Sequence, residues 1–144
     1  MRRIGLVILA LSLALASIAE AQSTKVAGVA ILSTGNPHSA AIYQTFEQRL
    51  RELGYVEGRN LAIEFRNAEG KTDRLPGIAA ELVRLNVDVV VVATDPATRA
   101  VKEATAEIPI VMVSVNYDPV ELGYIASLAR PGANITGYCS FTAS

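Results

Sequence analysis

Apolar and polar positions fall into blocks along this chain, and the repeat changes from one block to the next. Val26-Ala27-Gly28-Val29-Ala30-Ile31-Leu32 is an unbroken apolar run of strand length, which predicts a strand buried on both faces. Ile42, Phe46, Leu50 and Leu53 then recur at helical spacing between Gln44, Glu47, Gln48 and Arg51, and Gly54 follows as a stop. That pattern predicts an amphipathic helix. Leu61-Ala62-Ile63-Glu64-Phe65-Arg66 alternates with period two, as an edge strand with one partly wet face does. Leu75, Ile78, Ala79, Leu82 and Val83 form the stripe of a second helix, with Pro76 in its first turn, where a missing N–H costs little.

The second half repeats the scheme. Val87 to Ala93 is dense in β-branched residues and predicts a central strand, and a third helix is expected from Pro96 to about Thr105, ahead of Pro109. Ile110 to Val115 predicts a fourth strand, Pro119 to about Ala129 a fourth helix, and Ile135 to Tyr138 a short fifth strand. Strands alternating with helices over short connections specify an α/β fold: a doubly wound parallel sheet with right-handed crossovers and helices on both faces. The expected strand order is 2-1-3-4-5. Ligands of such sheets sit beyond the carboxyl ends of the strands, where the winding reverses.

That rule directs attention to the loops after strands one, three and four. Thr94-Asp95-Pro96 and Asn116-Tyr117-Asp118-Pro119 each predict an Asp at N-cap and a Pro at the first helical position, with Glu121 placed to complete a capping box. Both aspartates are read as caps. The helix amino termini they open would favour a carboxylate or another anion, with Thr94 and Asn116 beside them as polar contacts. Ser33-Thr34-Gly35-Asn36-Pro37-His38 adds neutral hydrogen-bonding groups. With no cluster of like charge in these loops, a small polar or zwitterionic ligand is expected rather than a polyanion.

The amino terminus changes the compartment. Met1-Arg2-Arg3, an uncharged stretch from Ile4 to Ala19, and the small residues of Ala19-Glu20-Ala21 predict a signal peptide cleaved after Ala21. The uncharged stretch is shorter than the ~20 residues a spanning helix needs. Gln22 rather than Cys follows the site, so a soluble, non-lipidated periplasmic product is expected, with no membrane insertion after cleavage. Losing Arg2, Arg3 and Glu20 leaves 11 basic and 13 acidic side chains, a net charge of −2. Nothing in that balance suggests nucleic acid, and no nucleic-acid partner is expected.

Chemistry is sparse. Cys139 is the one cysteine, which rules out an intrachain disulfide, and it is read as a small apolar residue. His38 is the one histidine and has no nucleophile or carboxylate at a recognisable spacing. Asp88 is read as a sheet-end residue. No metal-ligand pattern is present, and no metal, cofactor or catalytic residue is expected. Asn134-Ile135-Thr136 fits a glycosylation sequon that chance alone often supplies. Asp95 stands where a response-regulator receiver domain keeps its phosphoacceptor, but Ser33 and Thr34 occupy the positions where that chemistry needs magnesium-binding acids. The expectation is not an enzyme.

Longer motifs carry a resemblance. Leu50-Arg51-Glu52-Leu53-Gly54-Tyr55-Val56-Glu57-Gly58-Arg59-Asn60-Leu61-Ala62-Ile63-Glu64-Phe65-Arg66, Ala68-Glu69-Gly70-Lys71, Leu75-Pro76 and Ala79-Ala80-Glu81-Leu82-Val83 resemble ABC transporter substrate-binding proteins of the tryptophan/tyrosine-binding type. Ile108-Pro109-Ile110-Val111, Asp118-Pro119-Val120 and Ala126-Ser127-Leu128-Ala129-Arg130-Pro131-Gly132-Ala133-Asn134-Ile135-Thr136-Gly137 are similar to the same family in the same order. Gly54, Gly58 and Gly132 stand where that motif turns.

The resemblance implies a receptor of two α/β lobes that closes on a small-molecule ligand and presents it to a membrane permease. Residues 1–21 would be the signal and 22–144 the amino-terminal lobe, with the second lobe outside this sequence. Ser33, Thr34, Thr94 and Asn116 would form one wall of the cleft, and Tyr117 is the aromatic residue best placed for stacking. A lone half-cleft would bind weakly, and the sheet edge after strand five would be open to association. A secreted sensory or interaction module feeding a membrane receptor is the other function class that fits.

Overall fold

A computed structural model of the chain describes residues 25–35, 41–115 and 117–140. The expected signal segment, Asn36 to His38, and Asn116 lie outside the described residues. Among the described residues five strands and three α-helices follow one another: β1 Ala27–Ser33, α1 Ala41–Glu52, β2 Leu61–Asn67, α2 Leu75–Arg84, β3 Val89–Val92, α3 Asp95–Ala104, β4 Ile110–Val115 and β5 Ile135–Ser140. A single 3₁₀ turn, Thr72–Arg74, leads into α2. The sheet is parallel throughout, in the order β2-β1-β3-β4-β5. This is the expected winding, with the edge and central strands where the sequence pattern puts them.

Strand periodicity divides the core into two layers. Ala30, Leu32, Val90, Val92, Ile110 and Met112 pack against Leu75, Ala79 and Leu82 of α2 and Ala97, Ala100 and Val101 of α3. Val29, Ile31 and Val91 take the other face, beneath Tyr43, Phe46 and Leu50 of α1. Tyr43 meets Phe65 of β2 edge to face, with ring centroids 5.7 Å apart, a favoured aromatic geometry. Helix α1 ends where the sequence asks: Gly54 adopts φ 91, and the Tyr55 N–H donates to the Leu50 carbonyl at 2.9 Å. That closure meets carbonyls otherwise left open at a helix end.

Asp88 sits at the amino end of the sheet, as expected. Its carboxylate accepts the Gly28 N–H at 2.8 Å and pairs with Lys25 Nζ at 2.5 Å. The Gly28 amide, with the Lys25 ammonium, holds the Asp88 carboxyl below its usual range. A carboxyl lowered in the fold adds stability that is complete above the unfolded value of about 3.9 and is lost as pH falls through the folded value. Asp88→Asn is therefore expected to be less stable than the parent at pH 7, with the gap closing below about pH 4. Urea unfolding at both pH values checks this, and a gap that persists in acid would contradict it.

Two expectations fail between β4 and β5 and at the start of α3. The fourth helix over 119–129 is absent: residues 119–123 form consecutive turns and the segment to Pro131 is irregular. Asp118 does cap, its carboxylate accepting the Val120 and Glu121 N–H groups at 2.8 and 3.2 Å, but Gly123 at φ 72 ends the winding. The buried side chains there are Pro119 and the adjacent pair Tyr124 and Ile125, five and six residues on, while Val120, Leu122 and Leu128 are exposed. No helical stripe exists to bury. In α3 the N-cap is Thr94, so Asp95 is the first helical residue and Pro96 the second.

Candidate functional site

The carboxyl ends of β1 and β3 lie side by side in the sheet, with Leu32 opposite Val92. The chain leaves both strands through a threonine. Thr34 and Thr94, 60 residues apart in sequence, meet with their hydroxyl oxygens 2.7 Å apart. Ser33, just before, is buried at the end of β1, where its carbonyl accepts the Ala68 N–H at 3.0 Å; the Thr34 carbonyl accepts the Gly70 N–H at 2.7 Å. The loop after β2 thus fixes the backbone on which Thr34 stands.

Thr94 is an unusual cap. Threonine at N-cap ordinarily turns its oxygen onto an N–H of the first helical turn, but no side-chain cap bond forms here. The hydroxyl faces Thr34 instead. Each hydroxyl carries one proton, so one proton is used within the pair and the second is not. The first turn of α3 keeps its partial positive charge beside the pair.

Thr98 completes the cluster and is the residue that sequence reasoning missed. It is fully buried on α3, its hydroxyl donates to the Thr94 carbonyl at 2.9 Å, and the same oxygen lies 3.3 Å from the Tyr117 hydroxyl. Its spacing of four residues from Thr94 was the available signal, since a helical threonine readily bonds the carbonyl one turn back. Of the five residues named from the sequence, Thr34, Thr94 and Tyr117 are brought into one hydrogen-bonded group. Ser33 supports it through the backbone, and Asn116 is outside the described residues.

A second cluster gathers on the outer side chains of α3. Tyr124 donates its hydroxyl to the Asp95 carboxylate, Arg99 Nη2 reaches the other oxygen at 3.4 Å, and Lys102 donates to the Gly123 carbonyl at 2.7 Å while lying 5.5 Å from the centre of the Tyr124 ring. Burial and the neighbouring Asp95 raise the Tyr124 phenol above its ordinary value. These contacts anchor the irregular segment before β5 onto α3, so Asp95 has a structural partner set. A hollow of about 310 Å³ between α2 and α3, lined by Leu75, Pro76, Asp95, Arg99 and Glu103 among others, does not include the threonine cluster. Among the described residues no three His, Cys, Asp or Glu side chains converge to hold a metal, and no helix is long and apolar enough to cross a membrane.

Comparison with known proteins bears on this geometry. The family model for ABC transporter substrate binding protein matches residues 25–142. A tyrosine-binding protein of Clostridioides difficile (strain R20291) is 37% identical over 92 residues, which cover 64% of this chain and 26% of that protein. A conserved domain protein from Vibrio cholerae superposes with a TM-score of 0.76 at 34% identity, covering 82% of this chain and 40% of that one. An ABC domain from Streptococcus pneumonia, solved in complex with L-Trp, gives 0.71 at 29% identity, covering 78% and 38%. The chain spans about two fifths or less of the length of these relatives.

Proposed function

Since the chain belongs to the ABC transporter substrate binding protein family, we propose that it forms the amino-terminal lobe of an extracytoplasmic receptor that captures an amino-acid-like solute and delivers it to a membrane permease. In this reading residues 1–21 are a cleaved signal, residues 22–144 form the lobe, and the product is soluble in the periplasm. The second wall of the cleft corresponds to the part of the relatives that this chain does not span. No chemical step is assigned: the role is binding, not catalysis.

The observation that carries the proposal is the Thr34–Thr94 hydroxyl pair at the carboxyl ends of adjacent central strands. The second hydroxyl proton beside the uncapped first turn of α3 suits a ligand carboxylate. Tyr117, half-buried after β4 and joined to the group through the Thr98 hydroxyl, is assigned to the same wall, in keeping with relatives described by tyrosine and L-Trp binding. Ser33 and Asn116 are assigned to the same wall.

Titration of the ¹⁵N-labelled chain with L-tyrosine, L-tryptophan and L-leucine tests this. Shifts centred on Thr34, Thr94 and Tyr117, with a Kd of about 1 mM as befits a single wall, are the expected outcome. Uniform silence across the panel would overturn the reading.

A further inference from the structure

The two edges of the sheet are finished differently. β2 lies at one edge and carries Glu64 and Arg66, whose side chains pair at 2.6 Å; charges of this kind discourage a further strand. β5 lies at the other edge without such a guard. From Pro131 to Ser144 the chain has no charged side chain, and Ile135–Ser140 contains no proline. Tyr138 is 65% exposed there. Of the eight large apolar side chains left exposed among the described residues, Val120, Leu122, Leu128 and Tyr138 lie on β5 or on the connection that enters it. Apolar exposure gathered in this way marks a surface for association.

The backbone fixes which groups are on offer. The Asn134 carbonyl accepts the Ile110 N–H at 2.7 Å, and with Ile110 opposite Ile135 in a parallel ladder the backbone groups of Asn134 and Thr136 turn toward β4. Those of Ile135, Gly137 and Cys139 face the open side. An antiparallel copy of β5 with Gly137 on the two-fold axis satisfies all of them: Gly137 meets its own copy, and Ile135 meets Cys139. Thr136 then stands opposite Tyr138 of the second copy, both exposed on the face that α1 covers farther along the sheet. A two-fold axis sets like residues near one another, so a charged strand would repel itself; this strand has no charge. We propose that β5 pairs with β5 of a second copy of this chain, continuing the sheet across a two-fold axis at Gly137. β4 stands between β5 and the carboxyl ends of β1 and β3, so the dimer forms with or without a solute at the Thr34–Thr94 pair.

Sedimentation equilibrium of the purified chain tests this, with a dimer Kd of about 10 μM expected for so small an interface. Tyr138→Lys, at a side chain too exposed to threaten the fold, sets like charges near the axis and is expected to weaken the dimer by about tenfold or more. Thr136→Glu should do the same. The double variant Thr136→Glu/Tyr138→Lys should restore the dimer, because opposite charges then face each other across the axis, and urea unfolding checks that each variant is folded. In the parent, the Ile135 and Gly137 amides should exchange more slowly as concentration rises. A parent that stays monomeric overturns the proposal, whether those amides are open or are covered by other residues of the same chain. So does a dimer that both single variants leave intact, or one that the folded double variant fails to restore.

Discussion

Gly137→Ala is expected to strip β5 from the sheet. Gly137 lies opposite Met112 in the β4–β5 pairing with φ at +157, and a Cβ built there would stand 1.8 Å from the Met112 carbonyl oxygen. No rotamer relieves a clash between backbone atoms, so the strand must move or unpair. A loss on the order of 3 kcal/mol or more is expected, seen as a lowered unfolding midpoint and as fast amide exchange across residues 135–140. Gly77→Ala is the internal comparison. Gly77 lies inside α2 with nothing within 4 Å of its added methyl, so alanine there should raise stability by about 0.5–1 kcal/mol. Native-like exchange of β5 in Gly137→Ala would show that the close approach does not constrain the sheet.

The second large effect lies at the strand that supplies Thr34. Leu32 is fully buried in the larger core layer and sits opposite Val92 of β3. Leu32→Ala removes three carbons from a site hemmed in by strands on both sides, where collapse around the gap is limited. A loss of about 2–5 kcal/mol is expected, a large share of the ~5–15 kcal/mol that holds a domain of ordinary stability. Urea unfolding measures it. Because β1 also carries Thr34 to its partner, ligand-induced shifts at Thr94 should weaken alongside. A loss under about 1 kcal/mol would mean that the layer repacks freely.

What the sequence revealed follows from which interactions are local. The runs at 26–32, 87–93 and 110–115 are legible because a strand buried on both faces has no polar position to spare, and the parallel winding follows from their alternation with helical stripes. The segment at 119–129 was misread because Asp118-Pro119 is a sound helix start and nothing before Gly123 contradicts it. What decides the matter is the burial of Tyr124 through its bond to Asp95, 29 residues away, and such a contact leaves no periodic trace. The candidate site divides in the same way. Thr34 and Thr94 could be named because the topology of a doubly wound sheet sends the eye to those loops. Thr98 could not, because its value comes from being buried between two loops, and a lone threonine in a helix looks the same whether it faces solvent or a neighbouring hydroxyl.

The register of the sheet also governs how the molecule assembles. β1 occupies the position between β2 and β3, and its pairing with β3 joins Val29 to Val89, so the inner strand waits for some 60 residues of chain before its second side is met. With every strand pair parallel, no hairpin can form early and act as a seed. Sheets of such long-range pairing close slowly, because the entropy of each loop is spent before the contacts repay it. During synthesis the helices can fluctuate into shape as they emerge and β2 can cover one edge of β1, while the other edge of that apolar inner strand stays open until β3 arrives. The interval before Val92 emerges is therefore when this chain is most in need of a chaperone's protection.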